Sequence, residues 1–150
     1  MGWMTIFARA LATVVMLGVS APALSRDTQW EGSRTDIKAF VAKQKGMLDL
    51  PHPIAFYGDF NGDRREDAIV FIYRDIAGAA GNFDLRVALF EGSEGRYRLL
   101  RLVPGVYGTE PRQVAFSNGL IEITTTILRP EDSRCCPTGS MRHKIRTSVK

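Results

Sequence analysis

The chain has 150 residues, of which 45% are hydrophobic and 24% are charged, and its net charge is +4 at pH 7. Residues 24–150 hold 19 of the 20 basic residues and all 16 acidic ones, so the net charge there is +3. This mild excess excludes the strongly basic surface of a nucleic-acid-binding protein, and the length suits one domain with its own core.

The first 23 residues have the pattern of a secretory signal peptide. Arg9 precedes an apolar run of about ten residues, and Ala21-Pro22-Ala23 forms an Ala-x-Ala cleavage site. The run is shorter than the about 20 residues that a membrane span needs. We therefore expect a periplasmic or secreted protein, cleaved after Ala23 and without a stable membrane span. An uncleaved N-terminal anchor is the alternative.

One helix is predicted near the start of the mature chain. Ser33-x-x-Asp36 resembles a capping arrangement, and three apolar residues with helical spacing follow: Ile37, Phe40 and Val41. The pattern ends at Gly46, so we expect a helix over about residues 34–45.

A short acidic stretch carries the clearest sign of chemistry. Oxygen-bearing side chains stand at loop positions 1, 3, 5 and 9: Asp59, Asn61, Asp63 and Asp67. Ca²⁺ takes six to eight oxygens at about 2.3–2.6 Å, so these side chains, the backbone carbonyl of Arg65 at position 7 and water can supply most of its ligands. The loop departs from an EF-hand, because Arg64 stands at position 6 and Val70 at position 12.

Strands rather than helices flank this loop, since residues 54–57 and 68–73 are rich in β-branched and aromatic residues. The segment resembles the FG-GAP/VCBS repeats, whose calcium loops have the pattern Gly-Asp-x-Asn-Gly-Asp-Gly-x-x-Asp before a hydrophobic strand. The matching residues are Gly58, Asp59, Asn61, Gly62, Asp63 and Asp67. Arg64 replaces the family's glycine. The resemblance implies a structural calcium site within a β-sheet module.

The alternative is a metal-free turn. Asn61-Gly62 between apolar segments is typical of a two-residue type I′ hairpin, because both residues tolerate positive φ. The aspartates would then be solvated turn residues, and Arg64 or Arg65 would neutralise them.

The rest of the chain has the pattern of β-strands, with turns at residues 91–95 and at Asn118-Gly119 and a flexible loop at 75–83. The predicted strands are 85–90, 97–103, 113–116, 120–128 and 141–149. Ile121, Ile123, Thr125 and Ile127 share a face opposite Glu122, Thr124 and Thr126, as in an antiparallel sheet with one wet face. The predicted class is mainly β (α+β): one antiparallel sheet domain with an N-terminal helix, blade-like or a small sandwich. A propeller would need further copies of the acidic loop, and we find none.

The last predicted strand has a basic face. Its residues are Arg142, Lys144, Arg146, Ser148 and Lys150 on one side and Met141, His143, Ile145, Thr147 and Val149 on the other. The basic face is either a binding strip for an anionic polymer or the charged protection of an edge strand. His143, on the apolar face, is interpreted as a half-buried histidine with a satisfied nitrogen.

Cys135 and Cys136 are the only cysteines. A trans peptide holds neighbouring Cα atoms about 3.8 Å apart, whereas disulfides usually need 4.4–6.8 Å, so a bridge between them is strained. The Cys-Cys-Pro turn resembles that of small exported bacterial proteins carrying this calcium-type loop. A vicinal disulfide, free thiols and intermolecular bridges all remain open. A zinc site is not expected, because His52 and His143 lie in unrelated contexts and two adjacent sulfurs do not make a tetrahedral site.

No catalytic signature is found. Gly-x-Ser-x-Gly is missing, since residues 91–95 have the wrong spacing, and His52 is interpreted as an ordinary loop residue between two prolines. We expect an exported non-catalytic module with a structural calcium-binding loop that binds another envelope or secreted component, either a protein or an anionic polymer. The alternative is a small secreted hydrolase whose catalytic carboxylates the sequence does not reveal.

Overall fold

The computed structural model describes residues 23–24, 26–28, 34–44, 52–75 and 83–147. Several predictions fall outside these residues: the signal peptide up to residue 22, Ser33 of the helix cap, most of the loop at 75–83, and the strand end at 148–150.

The described chain is mainly β with one short helix, which confirms the predicted class. In chain order the elements are β1 (Ala23–Leu24), β2 (Arg26–Thr28), α1 (Thr35–Ala42), β3 (Ile54–Gly58), β4 (Asp67–Asp75), β5 (Phe83–Ser93), β6 (Arg96–Val103), β7 (Thr109–Ser117), β8 (Leu120–Ile127) and β9 (Gly139–Arg146). They form two antiparallel sheets, one with the order β2-β3-β4-β5-β6 and one with the order β1-β7-β8-β9.

The two sheets pack face to face as a small sandwich. Both contribute to one buried cluster: Phe56, Ile69, Phe71, Val87 and Leu89 come from the five-stranded sheet, and Val114, Phe116, Ile121, Ile123 and Ile145 come from the four-stranded sheet. Apolar side chains of this kind contribute about 1.5–3 kcal/mol each when fully buried. The core between the sheets is therefore the main source of stability.

Helix α1 covers the outer face of the five-stranded sheet. Ile37 and Val41 are fully buried there, in a second cluster with Val70, Ile72 and Phe90. Strand β4 is consequently buried on both faces, which explains why its sequence is a continuous apolar run rather than an alternating one.

The helix is shorter than predicted, and its cap differs. The N-cap is Arg34, which makes no capping hydrogen bond through its side chain. The carboxylate of Asp36 instead accepts a hydrogen bond from the backbone N–H of Tyr97, at 3.0 Å. The N-cap position therefore differs from the predicted one, and the carboxylate of Asp36 holds the helix against β6.

The hairpins also correct two predictions. The turn between β5 and β6 is only Glu94-Gly95, both with positive φ (51° and 77°), because β5 continues to Ser93. The Asn118-Gly119 hairpin is confirmed, and β7 begins at Thr109, earlier than predicted.

On β8 the apolar face is confirmed, since Ile121, Ile123 and Thr125 are fully buried. Its opposite face is not wet as predicted, because Thr124 and Thr126 are also buried. On this face Arg112 of β7 donates to the Thr126 hydroxyl at 2.6 Å, and that hydroxyl donates to the carboxylate of Glu110 at 3.0 Å.

Candidate functional site

The acidic loop spans residues 59–66 and connects β3 to β4. The two strands pair up to Gly58 and Asp67, so eight residues lie between them. The predicted two-residue type I′ hairpin at Asn61-Gly62 is therefore wrong: Gly62 has a positive φ of 86°, and the turn is wider than a hairpin of that type.

Asp59 organises the first half of the loop. One of its carboxylate oxygens accepts hydrogen bonds from the backbone N–H groups of Asn61 (3.2 Å) and Gly62 (2.6 Å), and the other accepts from Arg64 (2.8 Å). An ionised carboxylate has about four acceptor sites, so Asp59 keeps lone pairs that a cation can use.

The next two polar residues, Asn61 and Asp63, also accept hydrogen bonds from the backbone, but only one each. The side-chain oxygen of Asn61 accepts from the backbone N–H of Asp63 at 2.9 Å, and a carboxylate oxygen of Asp63 accepts from the N–H of Arg65 at 2.8 Å. Both side chains therefore act as acceptors for backbone N–H groups within the turn.

Arg64 has a φ of 66°, in the left-handed region that favours glycine. This is the position where the calcium loops of the resembling family have glycine. A left-handed conformation costs a residue with a Cβ atom roughly 1–2 kcal/mol. Arg64 therefore adopts this conformation at a cost in backbone strain.

Asp67 is fully buried at the start of β4. Its carboxylate accepts hydrogen bonds from the backbone N–H groups of Phe60 (3.2 Å) and Gly92 (2.9 Å). Burial raises the pKa of this carboxyl, the two hydrogen bonds partly lower it, and the negative charges of Asp63 and Asp59 raise it again. Three carboxylates therefore interact electrostatically in this loop.

Within the described residues, no arginine forms an ion pair with these carboxylates. The guanidinium of Arg65 donates to the hydroxyl of Ser93 at 3.2 Å, and Glu66 pairs with Arg34 at 3.4 Å. The predicted neutralisation by Arg64 or Arg65 is thus not observed. A metal-free turn would leave the repulsion among Asp59, Asp63 and Asp67 uncompensated by ion pairs.

The donor set suits a hard cation, since it consists of oxygens only. The side chains do not, however, converge on one point. In the described part of the chain, no three His, Cys, Asp or Glu side chains are grouped closely enough to hold a metal ion. The carboxylates of Asp59, Asp63 and Asp67 are instead directed at backbone N–H groups.

Phe60, which the sequence analysis did not single out, anchors the loop. Its ring is 1% exposed, in the core between the sheets. Its carbonyl accepts hydrogen bonds from the N–H of Gly119 (2.8 Å) and from the hydroxyl of Thr147 (3.3 Å), both on the four-stranded side. An apolar residue among polar ones at the second loop position was the signal that could have revealed this role.

Cys135 and Cys136 lie in the connection between β8 and β9, where both are exposed and present as free thiols. The carboxylate of Asp132 shapes this connection by accepting hydrogen bonds from the backbone N–H groups of Thr138 (2.7 Å) and Arg129 (2.8 Å). These bonds lower the pKa of Asp132. A hydrogen bond with Cys135 raises the pKa of the Cys136 thiol, so the two sulfurs lie close together.

The histidines are placed as predicted. His52 is exposed. His143 is half-buried, its Nε2 lies 3.0 Å from the Thr125 hydroxyl, and its ring contacts Tyr107 edge-on. Burial lowers the pKa of His143. The contact with Thr125 satisfies this nitrogen, which confirms the interpretation made from the sequence.

Strand β9 lies at an edge of the four-stranded sheet, and residues 141–147, which include most of it, alternate in burial as predicted. Arg142, Lys144 and Arg146 are exposed, and Lys144 pairs with Glu122 across the sheet at 3.2 Å. Surface pairs of this kind contribute less than about 1 kcal/mol. The face is therefore accessible to solvent and to an anionic partner alike.

Carboxylates also meet in two shallow pockets of about 480 and 320 Å³. Glu66 and Glu94 line one, and Asp36 and Glu91 line the other. Structural contacts hold three of these four groups: Glu66 accepts from the Tyr97 hydroxyl, Asp36 from the Tyr97 N–H, and Glu91 pairs with Arg98. These contacts are those of sheet and helix packing, and they give the hydrolase alternative no specific support.

Comparisons with known proteins found no match. No protein-family model matches the chain, no curated protein matches its sequence, and no solved structure matches its fold. Among the described residues, no helix is long and apolar enough to cross a membrane, and α1 has only eight residues.

Proposed function

We propose that this chain is an exported, non-catalytic module in which a loop of the FG-GAP/VCBS type binds Ca²⁺ structurally and the domain binds another envelope or secreted component. The observation that carries the proposal is the group of three carboxylates, Asp59, Asp63 and Asp67, none of which has an ion-pair partner among the described residues. A divalent cation would supply the missing positive charge.

The calcium ligands would be the side chains of Asp59, Asn61, Asp63 and Asp67, with the backbone carbonyl of Arg65. The resident Ca²⁺ would contribute charge neutralisation only. Because the side chains do not yet converge, binding would require them to turn within the loop while the pairing of Gly58 with Asp67 holds the two ends of its backbone and Phe60 stays in the core. A weak site would still fill outside the cytosol, where modules with dissociation constants of about 10⁻⁴–10⁻³ M stay loaded.

Thermal denaturation in calcium and in chelator tests this proposal. A ligand that binds only the folded state stabilises it by RT ln(1 + [L]/Kd), about 2.7 kcal/mol at a hundredfold excess over Kd. We expect a higher melting temperature in millimolar calcium. Asp63→Ala should abolish this increment, because Asp63 is exposed and accepts only one backbone hydrogen bond, so its loss leaves the apo fold largely intact.

Arg65→Ala is the matched control, since position 7 offers only its backbone carbonyl and the increment should persist. Arg64→Gly should strengthen binding, because glycine adopts the left-handed conformation of this position without strain. An unchanged melting temperature for the wild type in chelator and in calcium would overturn the calcium proposal.

The partner proposed for the module is another component outside the cytosol. The exposed basic face of β9 fits an anionic polymer. Supporting this are three exposed cations on alternate positions of one edge strand: Arg142, Lys144 and Arg146. Binding to dextran sulfate should weaken with salt and in the variant Arg142→Ser/Arg146→Ser. Arg96→Ser, an exposed arginine on the other sheet, is the control.

Export is tested separately by N-terminal sequencing of material from the periplasm or the medium. The mature chain should begin at Leu24. A membrane-bound form beginning at Met1 would contradict it.

A further inference from the structure

A groove of about 1120 Å³ lies at the end of the sandwich where β5 begins and β8 ends. Three of the five exposed large hydrophobic side chains of the described residues line it: Phe83 (37% exposed), Tyr107 (53%) and Leu128 (52%). Exposed apolar side chains gathered in one concave place mark binding sites more often than scattered ones do.

The charges along the groove balance. Asp84 and Arg134 are the two ionised side chains among its lining residues, one of each sign. An uncharged, apolar segment of a partner therefore fits it better than a polyanion or a cationic peptide, which would leave its charges uncompensated.

One wall of the groove carries a nucleophile. Cys135 lines it together with Pro137, whereas Cys136 is not among the lining residues. Both thiols are exposed and adjacent in the chain, and a hydrogen bond with Cys135 raises the pKa of the Cys136 thiol. The connection that bears them is fixed by Asp132 and by a hydrogen bond from the Cys136 N–H to the carbonyl of Ser133, at 2.9 Å.

We propose that Cys135 and Cys136 form a thiol–disulfide exchange site for a disulfide flanked by apolar residues, with Cys135 as the attacking sulfur and Cys136 as the resolving one. This site is independent of the acidic loop and of its proposed calcium ion. The substrate disulfide is the oxidant.

The reaction balances in two steps. The Cys135 thiolate attacks one sulfur of the substrate, a Cys135–substrate disulfide forms, and the other substrate sulfur leaves as a thiolate that takes up a proton. The Cys136 thiolate then attacks Sγ of Cys135, the vicinal disulfide forms, and the second substrate half leaves as a thiol. The substrate gains two electrons and the cysteine pair loses them. Because a vicinal disulfide is strained, the exchange is readily reversed.

Reduced full-length protein tests the assignment of the two sulfurs. The probe is the symmetrical disulfide of N-acetyl-Phe-Cys-amide, and intact mass after acid quenching is the readout. The wild type should lose two hydrogens without retaining the probe. Cys136→Ser should retain one probe half on Cys135, and Cys135→Ser should form its adduct about tenfold more slowly, because Cys136 is not among the residues that line the groove. Equal rates for the two variants, or an adduct that persists on the wild type, would overturn the proposal.

The role of the groove is tested in the Cys136→Ser background with a second probe, the disulfide of N-acetyl-Ser-Cys-amide. The Phe probe should react about threefold faster than the Ser probe, and Leu128→Ser should remove most of that difference, since partial burial of an apolar side chain gives a gain of this size. Leu102→Ser, at a leucine outside the groove that is 43% exposed, should leave the difference intact. If both probes react at one rate with the parent, the groove does not select the substrate and the proposal fails.

Discussion

The two ends of the sandwich differ in how far their side chains are buried. Strand β5 runs from Phe83, at the groove, to Gly92, at the acidic loop, so the groove and the loop lie at opposite ends of the molecule. At the loop end, the side chains that hold the loop are buried: Phe60 is in the core and Asp67 is fully buried. At the groove end, large apolar side chains remain exposed. Buried anchoring residues at one end and exposed apolar side chains at the other are compatible with the ion site and the exchange site that we propose.

Among the substitutions that test this difference between the two ends, we expect Gly92→Ala to have the largest effect on stability. An added Cβ would lie 1.9 Å from the backbone carbonyl of Glu66, so the acidic loop would have to move. We expect a loss of about 3 kcal/mol in the free energy of unfolding, at the upper end for overpacking.

Gly95→Ala is the matched control. Its Cβ meets nothing within 4 Å, and only its φ of 77° disfavours alanine, for about 1 kcal/mol. Urea denaturation compares the two variants. Equal losses would show that the loop end is not held by close backbone packing.

Asp67→Ala should have the second-largest effect. It leaves the N–H groups of Phe60 and Gly92 without their acceptor in a buried place, at about 1–3 kcal/mol each, while relieving the burial of a carboxyl with a raised pKa. We expect a net loss of about 2 kcal/mol in urea denaturation with chelator present. Asp63→Ala should cost much less under these conditions. Equal losses would mean that Asp67 acts only through a bound cation.

High pH should affect both ends together. Burial raises the pKa of Tyr73, near the groove, and of Tyr97, near the loop, each to about 12. An unfolded chain ionises tyrosine near pH 10, so it releases protons before the folded chain does. The stability that these tyrosines contribute is fully present below pH 10 and is lost as the pH rises from 10 to 12.

Thermal denaturation across this pH range measures the effect. Tyr73→Phe and Tyr97→Phe should each make the decline shallower. If one variant alone removes the whole loss of stability between pH 10 and 12, the prediction that both tyrosines contribute is wrong, and only one end of the sandwich is sensitive to alkaline pH.

The smallest effect is expected at the groove. Leu128→Ser should change the free energy of unfolding by less than about 0.5 kcal/mol, because Leu128 is 52% exposed. Urea denaturation measures this change, and Ile123→Ser, at a fully buried position, serves as the reference for a large loss in the free energy of unfolding. A loss close to that of Ile123→Ser would mean that Leu128 is a core residue. The groove end would then not present an exposed apolar surface.

Much of the fold was predictable from local pattern. The helix at Ile37 and Val41 and the strands around the acidic loop were found because periodicity reports burial within one element. Strand β7 was found only from Gln113 onward. Its first part holds Pro111 and two residues with positive φ, Glu110 and Gln113, which break the alternation that the prediction needs.

The division into two sheets was beyond the sequence. Strands β1 and β2 have two and three residues, too few for any pattern, yet they join different sheets. Their partners are distant in the sequence: Ala23 pairs with Phe116, and Arg26 pairs with Tyr57. Such pairings depend on tertiary packing, which local propensity does not encode.

For the candidate site, the polar spacing identified a turn in which Asp59, Asn61 and Asp63 each accept a hydrogen bond from a backbone N–H. It did not predict that Asp67 is a buried strand residue whose carboxylate reaches Gly92 on another strand. That contact depends on how β5 lies beside β4, which the loop sequence alone does not determine.

The carbonyl of Phe60 has a consequence for the order in which the molecule assembles. It bonds the Thr147 hydroxyl, 87 residues further along the chain, and the N–H of Gly119 in a hairpin of the other sheet. Contacts that distant form late, because closing a long loop costs entropy before the contact is gained. The acidic loop therefore reaches its final setting only after β9 has joined its sheet. Amide protection of the loop would then report the last step of folding rather than the first.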